Sequence, residues 1–218
     1  MTVNKAWNDF CDELRDAGQA LIDEAAPQDP MNQAEGVRYL IRLLRYASLN
    51  SIENSDPLYP TITNALDPHL KCKIGADNPD NIYMRANVSG KHRYRISGTR
   101  GTVPLMTFGS KANRYHIDGT MASTGEISND DIPVDADGRF SFIAGVDKPA
   151  EGAWLPLAED TTNLVGRQSF QDRSTETAAE VTIELIDETP DPTPIDVDDF
   201  ARQLKLTTDF VKGTSASF

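Results

Sequence analysis

Residues 82–97 read IYMRANVSGKHRYRIS, and here the apolar period changes from that of a helix to that of a strand. Ile82, Met84, Ala86 and Val88 alternate with Tyr83, Arg85 and Asn87; after Ser89-Gly90-Lys91, Tyr94 and Ile96 alternate with Arg93 and Arg95. Side chains two apart share one face of a strand, so this is the pattern of half-buried strands joined by a turn. The same period marks strands at 82–88, 92–97, 103–108, 113–117, 139–145, 163–170 and 180–186, with a second hairpin signal in Asp135-Ala136-Asp137-Gly138. Short strands in succession without intervening helices predict an antiparallel β-sandwich or jelly roll.

Upstream, Trp7, Phe10, Leu14, Ala17, Leu21 and Ala25 recur at spacings of three and four, which lines one helix face, and Pro27 ends that run. Asp29-Pro30 supplies a cap and a first-turn proline for a second helix with the stripe Val37, Leu40, Ile41, Leu44 and Ala47. On another face of it Arg38, Arg42 and Arg45 are placed to pair with the acidic C-terminal zone. Downstream, the proline-rich ETPDPTPID (188–196) is a linker to a last helix, capped by Asp196, favoured at its start by Asp198 and Asp199, and stopped at Gly213. Its apolar face, Val197, Phe200, Leu204 and Val211, needs cover from this chain or from a second copy, which would make a homo-oligomer. The expected fold is α+β: a helical hairpin over 1–50, a proline-rich connecting loop over 51–81, an antiparallel β-sandwich with jelly-roll-like character over 82–187, and an acidic linker with a C-terminal helix over 188–218.

The 218 residues carry 34 acids and 21 bases, a formal net charge of -13. So acidic a surface argues against nucleic acid as a partner. No apolar run is long enough to span a bilayer, the first residues lack the order of a secretory signal, and two cysteines make no disulfide framework, so no membrane partner and a cytoplasmic location are expected. The mean charge hides an island: residues 81–117 contain no acid and seven bases, Arg85, Lys91, Arg93, Arg95, Arg100, Lys111 and Arg114, whereas 174–201 holds nine acids and no Lys or Arg. Either the acidic segments cover the island, or it meets an anionic ligand; charge runs are usually solvated faces, which favours the first.

A three-residue loop at 89–91 would register 82–88 against 92–97 as a hairpin, pairing Val88 with His92, Ala86 with Tyr94 and Met84 with Ile96 on an apolar face. The second face would then set Arg85 opposite Arg95 and Asn87 opposite Arg93, with Tyr83 beside them. Like charges directly opposed are destabilising unless an anion lies between, and arginine grips oxyanions through its planar fork. Tyr83, Arg85, Asn87, Arg93 and Arg95 are therefore candidate ligand-binding residues, with His92, Trp154 and Arg167 as further candidates. Trp154 fits a core role better, and Arg167, alternating with Val165 and Ser169, could pair with Asp172.

His69, His92 and His116 lack metal-ligand spacing, so no metal is expected. The oxygen-rich stretches 77–81 and 131–138 could hold calcium, but Asx turns explain them more simply. Cys72, between Lys71 and Lys73, would have a lowered thiol pKa on charge alone. No cofactor fingerprint is present. Two function classes follow: a protein that binds or processes a small anionic or polar metabolite, with Tyr83 or His92 as proton carrier, or a noncatalytic structural or assembly module whose basic strands pair with its own acids.

Four stretches carry a family resemblance: AEGVRYLIRLLRYA (34–47), GADNPDNIYMRANVSGKHRYRISGTRGTV (75–103), DGRFSFIAG (137–145) and GAWLPLAEDTTNLVGRQSFQD (152–172). In this order they resemble bacterial proteins carrying the domain of unknown function numbered 1214. The resemblance implies a β-sandwich or jelly-roll-like domain and no agreed reaction, so no catalytic residue is carried over. Ala153 stands where the family usually has Asn before Trp-Leu-Pro, and many family chains continue past the final helix found here, which puts in doubt any activity needing that part.

Overall fold

A computed structural model describes residues 2–25, 27–64, 72–75, 77–114, 120–189, 191 and 193–217. These form two compact units, one of helices and one of sheets.

The helical unit holds α1 (Val3–Ala20), α2 (Pro30–Ser48) and α3 (Val197–Ser217), with π-helical turns continuing α1 over Leu21–Ala25 and α2 over Leu49–Glu53. Each start has a side-chain cap. Thr2 accepts from the amide of Lys5, Asp29 from those of Met31 and Asn32, and Asp196 from those of Asp198 and Asp199. Such caps satisfy backbone donors that the first turn leaves without partners. The α3 face is covered within the chain: α3 packs on both α1 and α2, burying Leu204, Thr207, Thr208 and Val211, with Thr208 donating to Glu13 and Phe210 5.3 Å from the Tyr46 ring.

Three helix expectations need correction. Gly213 does not stop α3, which runs on to Ser217. The buried stripe of α2 is Leu40, Leu43, Tyr46 and Ala47, whereas Val37 and Ile41 are exposed. Arg38 pairs with Glu35 of its own helix at 2.8 Å instead of with the acidic zone.

The sandwich has a five-stranded sheet and a four-stranded sheet. The first runs, in spatial order, β1 (Thr63–Asn64), β2 (Asn81–Asn87), β8 (Asn163–Ser169), β4 (Leu105–Arg114) and β5 (Thr120–Ser128). The second runs β7 (Ala153–Pro156), β6 (Arg139–Gly145), β3 (Tyr94–Thr99) and β9 (Glu180–Leu185). Inward residues of both make one core, including Met84, Ala86, Tyr94, Ile96, Phe108, Phe142, Leu155 and Leu164, with the rings of Phe108 and Phe142 5.0 Å apart. All pairings are antiparallel except β6 with β7, which is parallel, a departure from the expected all-antiparallel pattern.

The main correction is that 82–88 and 92–97 do not form a hairpin. β2 pairs with β1 and β8, while β3 pairs with β6 and β9 in the other sheet. The connection is an arch across the core. Its backbone is bound to the loop before β8, Val88 N–H donating to Thr162 O and Gly90 N–H to Thr161 O, and the buried Tyr94 hydroxyl accepts from the amide of Ser89. In an arch the apolar faces meet across the core, and in a hairpin they lie side by side, so the two-residue period is the same in both.

Strands expected at 103–108 and 113–117 are one continuous β4 to Arg114, and residues 115–117 lie outside the described ones. β1, β5 and β7 had no periodic signal. β5 carries a bulge, Ser110 facing Gly125 and Lys111 facing Ser123, which leaves Thr124 as the extra residue. Its hydroxyl donates to Ser110, whose own hydroxyl donates to Pro156 O on β7 at 2.7 Å, joining the two sheets at that edge.

Candidate functional site

The arch separates residues that a hairpin would have joined. Tyr83, Arg85 and Asn87 stand on the outward side of β2, since Met84 and Ala86 point to the core. Across β2 and β8 they face Arg167, Val165 and Asn163, and across β8 and β4 these face Thr107, Gly109 and Lys111. The outer face of the five-stranded sheet thus collects Tyr83, Arg85, Asn87 and Arg167 from the candidates, and adds Asn163 and Lys111. Asn163 was not singled out from the sequence, and Lys111 was named only as one of the seven bases of the island; what joins them to the face is their register on β8 and β4, which local patterning does not carry.

Arg93, Arg95 and Trp154 lie with the four-stranded sheet instead. The opposition of Arg85 to Arg95 does not occur: Arg85 faces Val165 and Thr63, and Arg95 faces Ile143 and Glu184. Arg95 pairs with Glu184 at 2.8 Å. Arg93 holds Asp187 through its backbone N–H at 2.8 Å and through Nε at 3.0 Å. Burial alone would raise the Asp187 carboxyl, but these bonds and the Arg93 charge outweigh it and hold the carboxyl below the usual range. His92 precedes β3, its Nδ1 3.9 Å from Asp187 and its ring edge-on to Tyr94. Both acids belong to the 174–201 zone, so internal compensation holds for Arg93 and Arg95. Trp154 is not a core residue. It is half-buried on the outward side of β7, and its Nε1 donates to Gly145 O at 2.9 Å.

Arg85 differs from both. Its Nη2 donates to Asn163 Oδ1 at 2.5 Å, while its Nε is buried with no hydrogen-bond partner among the described residues. Asn163, fully buried, donates in turn to Thr162 Oγ1 at 2.8 Å, so the amide that orients Arg85 is itself fixed. A neutral amide does not offset the guanidinium charge, and an orphaned buried donor costs about 1–3 kcal/mol. An oxyanion could relieve both. Arg167 lies 5.8 Å from the Tyr83 ring centre, and Lys111 Nζ donates to Ser123 Oγ at 3.0 Å. The Arg167–Asp172 pairing is absent, since Asp172 accepts from the Ser174 backbone and hydroxyl. Arg114, by contrast, pairs with Asp160, and Arg100 donates to Val103 O.

Asp135 accepts from the amides of Asp137 and Arg139, and Asn78 from the amide of Asp80, so Asx-type turns stand in both oxygen-rich stretches, while Asp131 accepts from the amide of Ser128. No group of three potential metal ligands occurs among the described residues. Burial pushes the Cys72 thiol up, against the pull of Arg45 and Arg42, which reverses the expectation from its lysine neighbours. His69 and His116 lie outside the described residues. An open cleft of about 600 Å³, lined by Gly90, Lys91, Val146, Glu159 and Asp160, contains none of the eight candidates. No described helix is long and apolar enough to cross a membrane.

Among solved structures, an uncharacterised protein from Burkholderia cenocepacia matches with a TM-score of 0.89 and 38% identity over 96% of this chain and 57% of its own. A Vibrio parahaemolyticus protein matches with a TM-score of 0.45 and 12% identity over 79% of this chain and 52% of its own. The chain therefore spans little more than half the length of these relatives. No family model matches it, and no curated protein does.

Proposed function

We propose that the sandwich binds a small anionic or polar metabolite on the outer face of its five-stranded sheet, with Arg85 as the principal contact and Tyr83, Asn87 and Arg167 around it. The carrying observation is the Arg85 guanidinium, held by a neutral, buried amide, with a buried Nε–H that has no acceptor among the described residues. In a thermal-shift assay at low ionic strength, sulfate or a small carboxylate should raise the melting temperature of the wild type, and Arg85→Gln should abolish the response. Equal responses of the two proteins would refute the reading.

A second reading has its own support. Arg93 and Arg95 are engaged by Asp187 and Glu184, as expected of a noncatalytic structural or assembly module. On that reading Arg85→Gln is silent toward every anion. We also place the chain with the bacterial proteins carrying the domain of unknown function 1214, on the order of the four stretches at 34–47, 75–103, 137–145 and 152–172.

A further inference from the structure

Resting on the anion-binding reading, we infer that this face takes a dianion with two separated oxyanion groups on a short carbon backbone. Three cations stand at outward positions on neighbouring strands: Arg85 on β2, Arg167 on β8 and Lys111 on β4. None forms an ion pair among the described residues; Arg85 meets an amide, Arg167 an aromatic ring and Lys111 a hydroxyl. Arg85 faces Val165, and Arg167 lies two residues along the same strand, so their Cα atoms are about 7–8 Å apart. Lys111 faces Asn163, two residues the other way and one strand farther, which sets it about 12 Å from Arg85 by strand spacing and rise.

The Arg85 guanidinium is held at Asn163, which faces Lys111, and Arg167 lies over Tyr83, so the Lys111 end carries two cations and the Arg167 end one. Val165 and Gly109 lie between them. Gly109 contributes no side chain, and Lys111 leans across it, its Nζ 3.5 Å from where a Cβ would sit. The acid at an outward position in these rows is Glu126, opposite Gly109, which forms no ion pair among the described residues. Three cations against one carboxylate leave an excess of two positive charges. The separation favours a ligand whose two negative groups are apart over one that concentrates its charge on one centre.

The test is calorimetric titration at low ionic strength with succinate, butyrate and inorganic phosphate. Succinate and butyrate share a carbon count and differ by one carboxylate. Succinate should bind at least about tenfold more tightly than butyrate, and more tightly than phosphate. Arg167→Gln should lower succinate binding to near the butyrate level, while Arg85→Gln should remove both. Equal wild-type affinity for succinate and butyrate would overturn the two-ended site while leaving the anion-binding reading in place; so would phosphate binding best with Arg167→Gln having no effect. Absence of binding by all three probes would overturn the anion-binding reading itself.

Discussion

Three arginines that look equivalent in the sequence have different fates. Arg95 and Glu184 are an exposed pair, so Glu184→Ala should change unfolding free energy by no more than about 0.5 kcal/mol in denaturant titration. Asp187 accepts from the backbone of Arg93 as well as its side chain, so Asp187→Ala should cost about 1–2 kcal/mol in the same titration. Arg85 has no carboxylate partner among the described residues. The face on which each side chain stands was legible, because strand parity is local: Tyr83, Arg85 and Asn87 do share one face, and so do Arg93 and Arg95 as neighbours two apart. Which strand lies opposite was not, because hairpin and arch impose the same alternation. Asn163, 78 residues from Arg85 in the chain, could be found only from the pairing of β2 with β8.

At the scale of elements, strand periodicity succeeded where one face is buried and failed where it is not. β5 and β7 lie at sheet edges, and β7 ends in Pro156, so neither shows a clean alternation. Caps were legible because a side chain and its backbone donors are close in sequence, and Asp196→Ala should destabilise α3 by about 1 kcal/mol in thermal unfolding followed by circular dichroism. Glycine roles follow from pairing. A Cβ at Gly98 of β3 would meet Glu180 O of β9 at 1.8 Å, so Gly98→Ala should displace the edge strand and cost at least about 2 kcal/mol. At Gly138, with φ of 77° in an open turn, alanine should cost only about 1 kcal/mol, because the strain is in the backbone and no neighbour is struck. Equal effects at the two positions in denaturant titration would contradict the pairing of β3 with β9.

For the whole molecule, the net charge of -13 includes carboxylates that are held in place by the fold. Asp160 is held low by Arg114, Asp172 by Ser174, and Asp187 by Arg93 against the opposing effect of burial. Depressed folded values mean stability that is present above the unfolded carboxylate pKa of about 3.9 and is lost as pH falls through the lower folded values. The melting temperature should therefore fall below about pH 4, and Asp187→Asn should flatten part of that fall. Against these engaged acids, the cations at Arg85, Arg167 and Lys111, which form no ion pair among the described residues, are the feature on which the proposed ligand site rests. Nitrogen-15 correlation spectra of the arginine Nε–H groups, recorded while succinate is added, test that connection most directly. The Arg85 resonance should shift and saturate while those of Arg93 and Arg95 stay in place; a stationary Arg85 resonance, with Arg93 and Arg95 shifting or with none shifting, would contradict it.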